Sequence, residues 1–197
     1  MARISLDPPR TPFYRLAGWY SRRKFGLVLD PGKALAHQPA VLRAYTRLEL
    51  SATRWRRADR QLKDLAVMAA SVQVGCSWCL DFGQWELRSH GVPAEKVRDV
   101  PTWRESSAFT GLERLVMEYA EAMSATPPLV TDELTARLLA HLDEAQLVEI
   151  TAMVALENLR SRINTAFGLT GQGFADRCEV PAAQSASRAR GSAGAAA

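Results

Sequence analysis

Apolar residues recur at helical spacing along most of the chain. The clearest stretch is 111–124, where they occur at i, i+3, i+4, i+7, i+8 and i+11, as Leu112, Leu115, Val116, Tyr119, Ala120 and Met123. The same spacing predicts helices over residues 13–26, 33–51, 57–75, 80–90, 131–142 and 143–167, and a shorter turn or helix over 92–100. No stretch alternates convincingly every second residue, as a half-buried strand would. The sequence therefore predicts an all-α fold.

Changes in composition divide the chain into three parts. Residues 1–12 contain adjacent prolines and no periodicity, which is typical of an extended arm. Residues 13–180 carry the helical pattern and form one predicted domain, which a length of 197 residues supports. Residues 181–197 are mostly Ala, Ser, Gly and Arg, and this composition predicts a disordered tail.

Two of the predicted helices resemble each other. The segment that begins at Gln61 aligns without gaps with the segment that begins at Gln146, and Asp64 is then opposite Glu149. Continuing the alignment places Ser161 and Asn164 opposite Cys76 and Cys79, in the order of the chain. This predicts an internally duplicated helical hairpin in which only the first copy has thiols. Chance similarity is the alternative, because any two amphipathic helices share an apolar period.

The charge pattern gives little indication of a large charged partner. The net charge is +4, and the basic residues cluster at Arg22–Lys24 and Arg54–Arg60. No nucleic-acid-reading motif accompanies these clusters, so we expect solvated helix faces or interface residues and no nucleic-acid partner. No run of 18 apolar residues is present, which predicts no membrane span. The first residues lack the apolar segment of a signal peptide, which predicts a cytoplasmic protein.

The pair Cys76 and Cys79 is the strongest candidate for chemistry. It follows Gly75, between two predicted helices, so both thiols belong to the start of the second helix. The free N–H groups and the dipole at a helix N-terminus stabilise a thiolate, which is the reactive form of cysteine. Cysteines one turn apart can also close a disulfide, so the spacing predicts a dithiol redox site.

Two other interpretations of the cysteines remain open. Both could be inert residues buried at a helix start, since buried cysteines are often unreactive. A zinc site would have to combine Cys76 and Cys79 with Cys178 and a histidine, but no second CxxC and no HxxxH pair is present. We therefore expect no metal and no organic cofactor.

The spacing from Asp64 to the cysteines resembles the carboxymuconolactone decarboxylase-like, or alkylhydroperoxidase D-like (AhpD-like), family of helical proteins. In that family an acidic residue precedes a CxxC pair by twelve positions, as Asp64 precedes Cys76, and the resemblance extends over about residues 38–171. It implies an AhpD-like helical bundle in which Cys79 attacks a small hydroperoxide and Cys76 then closes a disulfide. Asp64 would help to remove the thiol proton, and a separate thiol would supply the electrons. The decarboxylase branch of the family needs no redox cysteines, so the CxxC pair argues against lactone decarboxylation.

The sequence departs from the family at Gly83, where the family has a histidine four residues after the second cysteine. His90 is on the same helical face but about 16 Å from Cys79 on a straight helix, too far for a direct substitute. We therefore expect slow peroxidase turnover. If the site keeps the family geometry, Gly83→His should raise that turnover at little cost in helix propensity. The steric alternative is that position 83 is glycine because another helix or a neighbouring subunit crosses there. The alternative function is a non-enzymatic thiol redox sensor that lost peroxidase activity with the histidine.

The resemblance also implies a homo-oligomer. The apolar residues of 112–123 and 147–155 point the same way, because packing within one chain would leave part of them exposed.

Overall fold

The computed structural model describes residues 2–178, which form nine α-helices and two short 3₁₀-helices without any strand. The α-helices are α1 (Pro12–Phe25), α2 (Asp30–Leu35), α3 (Pro39–Ala52), α4 (Arg60–Val74), α5 (Ser77–Ser89), α6 (Ala94–Asp99), α7 (Gly111–Ser124), α8 (Asp132–Leu139) and α9 (Glu144–Ala166). The 3₁₀-helices are Val100–Thr102 and Ala175–Cys178. The predicted all-α fold is confirmed, and the predicted tail, 181–197, lies outside the described residues.

The single helix predicted over 33–51 is wrong, because two helices occupy this region. Residues 36–38 separate α2 from α3, and Pro39 is the first residue of α3. Proline has no N–H to donate and a fixed φ, so it fits the first turn of a helix and not its interior. Gln38 caps α3 by accepting a hydrogen bond from the N–H of Ala40.

Helix α4 lies at the centre of the molecule and packs against α5, α7 and α9. Leu65, Ala66, Ala69 and Ala70 have no exposed surface, as the apolar spacing of this stretch predicts. The alanines allow close approach of the neighbouring helices, whose buried residues include Val116 on α7 and Val154 on α9. Burying this stripe supplies the main hydrophobic stabilisation of the domain.

The turn between α4 and α5 brings the cysteines over the end of α4. Gly75 has a φ of 77°, in the left-handed region that favours glycine, and its N–H donates to the carbonyl of Ser71. The chain reverses at once, and Cys76 becomes the N-cap of α5.

Helix α9 runs in the same direction as α4. Lys63 forms an ion pair with Glu149, and Ser71 donates to Glu157 further along both helices. The second half of α9 therefore passes beside the N-terminus of α5. This pairing brings polar residues of α9 next to the cysteines.

The N-terminal arm, residues 2–11, covers the same region from outside. Arg3 donates from its backbone N–H to the carbonyl of Phe167 at 2.7 Å, and its Nη1 donates to the carbonyls of Thr165 and Ala166, both at 2.9 Å. Ile4 and Leu6 pack on the apolar cluster that contains both cysteines.

The apolar stretches predicted to be partly exposed bury most of their side chains within the chain. Tyr119 is 7% exposed, and Ile150 has no exposed surface. Val148 is the exception within these stretches, at 67% exposed. The other large exposed apolar side chains lie elsewhere, including Leu16 and Trp19 on α1, which are 62% and 59% exposed. Among residues 2–178, no helix combines the length and the apolar character needed to cross a membrane.

Candidate functional site

Cys76 and Cys79 are joined by a disulfide at the start of α5. Their Cα atoms are 5.2 Å apart, and the backbone N–H of Cys79 points at the Sγ of Cys76, 3.1 Å away. The residues are only 1% and 6% exposed. After reduction, either sulfur would lie at the positive end of the α5 dipole, which favours the thiolate.

Two side chains of α9 contact the sulfurs from the other side. The Oγ of Ser161 lies 3.3 Å from the Sγ of Cys79, and the Nδ2 of Asn164 lies 3.4 Å from the same atom. Asn164 Nδ2 is also 3.9 Å from the Sγ of Cys76. Ser161 and Asn164 are the residues that the internal alignment places opposite the cysteines. The two aligned positions thus meet at one site.

Asn164 also carries an unused acceptor. Its Oδ1 is buried and has no hydrogen-bond partner within residues 2–178. An unpaired buried carbonyl is unfavourable. Reduction of the disulfide would create thiol S–H donors next to this amide.

Glu157 lies behind Ser161, one turn earlier on α9. Its Oε1 accepts hydrogen bonds from the Oγ of Ser161 at 2.7 Å and from the Oγ of Ser71 at 2.8 Å. Glu157 is 2% exposed, and this burial raises the pKa of its carboxyl, although Arg160 and the two hydroxyls lower it. A continuous chain of polar atoms therefore runs from Cys79 through one hydroxyl to a buried carboxyl.

Arg160 is shared between two carboxylates. Its Nε and Nη2 bind Glu49 of α3 at 2.8 and 2.6 Å, whereas its Nη1 is 3.3 Å from the Oε2 of Glu157. The fork-shaped pairing with Glu49 is the stronger geometry. Arg160 therefore compensates Glu157 only in part.

Asp64, the carboxylate that the family resemblance assigns to the cysteines, pairs instead with His90. Its Oδ2 lies 2.6 Å from the Nδ1 of His90. Burial raises the pKa of Asp64, while the hydrogen bond to His90 lowers it. Within the described chain, no hydrogen bond joins Asp64 to either cysteine. Its proposed role in removing the thiol proton stays a prediction.

Gly83 lies in α5 against Met68 of α4. A Cβ added at Gly83 would overlap the Sδ of Met68, which is itself only 1% exposed. Met68 therefore fills the space that a side chain at position 83 would need. The steric alternative therefore applies, because a residue of the neighbouring helix α4 crosses at Gly83.

Aromatic residues enclose the disulfide on the side of α5. Trp78 and Phe82 stack with ring centroids 5.1 Å apart, and Phe174 meets Phe82 edge-on. Asp81 holds the segment after α9 in place by accepting N–H groups of Gln172, Phe174 and Ala175, at 2.7–3.1 Å. Sequence reasoning missed this carboxylate, because its partners are backbone groups distant in the chain.

The zinc interpretation receives no support within residues 2–178, where no three His, Cys, Asp or Glu side chains converge as metal ligands. In the oxidised protein, both sulfurs of the pair are also occupied with each other.

The site is thus a buried disulfide at the start of a helix, inside an all-helical domain. Residues 39–122 match the model of the carboxymuconolactone decarboxylase family. The chain is 33% identical to the uncharacterised protein YnjA of Escherichia coli K12 over 168 residues, 85% of this chain and 91% of YnjA. The uncharacterised protein YdfG of Bacillus subtilis 168 is 27% identical over 56% of this chain and 76% of its own. The protein belongs to the carboxymuconolactone decarboxylase family, as its resemblance indicates.

Solved structures share the fold. A peroxidase-related protein from Ralstonia eutropha JMP134, described as an alkylhydroperoxidase core, has a TM-score of 0.77 at 18% identity, over 88% of this chain and 94% of its own. A cysteine-to-alanine variant of the debrominase Bmp8, bound to 2,3,4-tribromopyrrole, has a TM-score of 0.78 at 18% identity, over 90% and 97%. These likenesses confirm the predicted AhpD-like helical fold.

Proposed function

We propose that this protein is a thiol-dependent oxidoreductase that reduces small hydroperoxides through a reversible Cys76–Cys79 disulfide. The observation that carries the proposal is the pair of sulfurs at the start of α5, with Ser161 and Asn164 against Cys79. Membership of the family and the peroxidase-related structural relatives support the same chemistry.

In the proposed cycle, the thiolate of Cys79 attacks the terminal oxygen of the hydroperoxide. The O–O bond breaks, an alcohol leaves, and Cys79 becomes a sulfenic acid. Cys76 then attacks the Cys79 sulfur, water leaves, and the disulfide forms. An external thiol donor returns two electrons and two protons by thiol–disulfide exchange. The assignment of Cys79 as the attacking residue agrees with the contacts that Ser161 and Asn164 make with its sulfur.

A redox sensor is the second candidate, and one observation favours it. Position 83 is glycine where the family has histidine, and Asp64 forms its hydrogen bond with His90. A protein with this site would form and release its disulfide without rapid turnover of peroxide.

The test combines a thiol count with a turnover assay. Reduced protein is treated with cumene hydroperoxide, and mass spectrometry of the Cys76–Cys79 peptide follows disulfide formation, with Cys178→Ser protein as the control for the third thiol. Consumption of many equivalents of peroxide in the presence of a thiol donor supports the enzyme, and a single equivalent supports the sensor. A free Cys76–Cys79 pair after oxidation would overturn both. A parallel assay with 2,3,4-tribromopyrrole, the molecule bound in the Bmp8 structure, tests for dehalogenation instead.

We also propose a cytoplasmic homo-oligomer. The exposed apolar residues of α1 and α3, such as Trp19 and Val41, support an interface between copies. Light scattering that gives the monomer mass of 21.7 kDa at micromolar concentration would contradict it.

A further inference from the structure

The proposed peroxide reaction requires a group that takes the proton of the Cys79 thiol. It also requires a proton for the alkoxide that leaves the peroxide. Position 83 cannot provide this group, because Met68 fills the adjacent space.

We propose that Glu157, acting through the hydroxyl of Ser161, exchanges this proton with Cys79. The proposal rests on the proposed function for its substrate, but not for the proton transfer itself. Ser161 is then the residue that contacts the reacting sulfur. Glu157 acts through Ser161, because it holds the serine hydroxyl in place and accepts its proton.

The first argument is continuity. The distance from the Cys79 sulfur to the Ser161 Oγ is 3.3 Å, and from there to the Glu157 Oε1 it is 2.7 Å. A serine hydroxyl has one hydrogen and can also accept, so it can receive the thiol proton as it donates its own to the carboxylate. Ser161 has no exposed surface, and Glu157 is 2% exposed, so bulk water does not compete along this path.

The second argument is local geometry. Glu157 and Ser161 are four residues apart on α9, so their side chains share one helical face. Ser71 of α4 donates to the same Oε1 at 2.8 Å and fixes the carboxyl in place. A positioned acceptor with a bridging hydroxyl is therefore in place to take the proton from the buried Cys79 thiol.

The third argument is electrostatic. Arg160 is the cation against Glu157, and it is held more closely by Glu49 of α3. Tyr45 of α3 and Glu86 of α5 also act electrostatically with Arg160, while α4 contributes the neutral Ser71. Burial therefore leaves the pKa of Glu157 above the ordinary range of a glutamate, nearer to that of a thiol. Proton transfer between the two groups is easier when their pKa values are closer.

The proton balance closes. Glu157, ionised at the start, receives the thiol proton as the Cys79 thiolate forms. When the O–O bond breaks, the proton returns through Ser161 to the leaving alkoxide, which becomes the alcohol. The sulfenic acid then reacts with the Cys76 thiol to give the disulfide and water. Glu157 begins and ends the cycle as a carboxylate.

A purely structural role is the competing explanation, since Glu157 also joins α9 to α4 through Ser71. Glu149 provides a matched control, because it is another buried carboxylate on α9 that binds α4, through Lys63, without contact to the cysteines. A structural role predicts similar behaviour for the two variants.

The experiment compares Glu157→Gln, Ser161→Ala and Glu149→Gln in a Cys76→Ser, Cys178→Ser background, in which Cys79 is the one remaining thiol. Stopped-flow measures the rate constant for Cys79 from pH 5 to 10 with cumene hydroperoxide, and separately with dithiodipyridine, an aromatic disulfide. Circular dichroism confirms the fold. We expect Glu157→Gln and Ser161→Ala to lower both rate constants by about a hundredfold near neutral pH and to remove the inflection of the pH profile that is due to the carboxyl. Glu149→Gln should keep the parental rate constants and the parental pH profile.

The outcomes separate the two proposals. A folded Glu157→Gln protein with the parental pH profile, and rates within about threefold of it, would overturn the relay. If Glu157→Gln does not fold, Ser161→Ala decides by the same criterion, because it keeps the carboxyl. Failure to react with cumene hydroperoxide, combined with a disulfide reaction that depends on Glu157, would overturn the peroxidase proposal and leave the relay in place.

Discussion

Gly83→Ala should destabilise the protein, although replacing glycine by alanine inside a helix normally stabilises it. Gly83 lies in the middle of α5, and its backbone is helical. An alanine in such a position is ordinarily favoured by about 0.5–1 kcal/mol. The added methyl group, however, would overlap the Sδ of the buried Met68, which lies in the core formed by α4 and its neighbours.

The two effects have opposite signs, and the steric effect is larger. Forcing extra volume into a packed core costs about 1–3 kcal/mol, because neighbouring side chains must leave their preferred rotamers. Met68 is flexible but 1% exposed, so its displacement disturbs further buried residues. Taking the middle of each range, the expected net loss in the free energy of unfolding is about 1 kcal/mol. A histidine at this position should cost more.

Urea denaturation measures the difference. Gly32→Ala is the matched control, since a Cβ at Gly32 in α2 has no neighbour within 4 Å. A double-mutant cycle with Met68→Ala tests the contact itself. Met68→Ala alone should cost about 2–5 kcal/mol for the cavity it leaves, and measurably less in the Gly83→Ala background. A Gly83→Ala protein more stable than the wild type, or additive effects in the cycle, would refute this reasoning.

Three further predictions concern the site and its cover. Deleting residues 2–6, or replacing Arg3 by alanine, should speed reduction of the disulfide by a bulky thiol more than by a small phosphine, because the arm lies over the cysteines. Peroxide should leave a sulfenic acid on Cys79 in Cys76→Ser protein and produce no oxidation at that site in Cys79→Ser protein, as mass spectrometry can show. Burial raises the pKa of Glu157 in the folded protein, so its contribution to stability should fall as pH rises from the ordinary glutamate range through the folded-state pKa. Urea denaturation at several pH values should show this decline for the wild type and not for Glu157→Gln.

The helices could be predicted from sequence because each has its own local signals. Apolar spacing identified α4 and α7, and Thr131 and Asp143 cap α8 and α9 through their side chains. The division of 33–51 was missed because apolar spacing continues across Pro39, whereas the chain geometry at a proline favours a helix start.

The site was harder to predict, because most of its contacts join distant parts of the chain. The CxxC pair is local, and its disulfide follows from the spacing. Glu157 and Ser161 belong to another helix, and only the direction of α9 relative to α4 brings them to Cys79. The internal alignment did contain a signal, since it placed Ser161 and Asn164 opposite the cysteines. It could not show that the two aligned segments meet in space.

Gly83 and Glu157 are connected through the choice of the group that takes the Cys79 proton. Met68 blocks a base on α5, and in the relay we propose the group that takes the Cys79 proton lies on α9 instead. If so, opening space beside α5 should make the carboxyl on α9 dispensable. Met68→Ala removes the blocking side chain, and Gly83→His then places an imidazole one turn from Cys79 on the same face.

In a Glu157→Gln protein, adding both Met68→Ala and Gly83→His should therefore raise the rate constant with cumene hydroperoxide by at least about tenfold. Its pH profile should show a new inflection in the pH range where histidine titrates. Gly83→His without Met68→Ala should lower stability and restore nothing, because Met68 still occupies the space. Met68→Ala with Gly83→Gln controls for the change in packing. Equal recovery with glutamine, or none with histidine in a folded protein, would show that a base on α5 cannot replace the one we assign to α9.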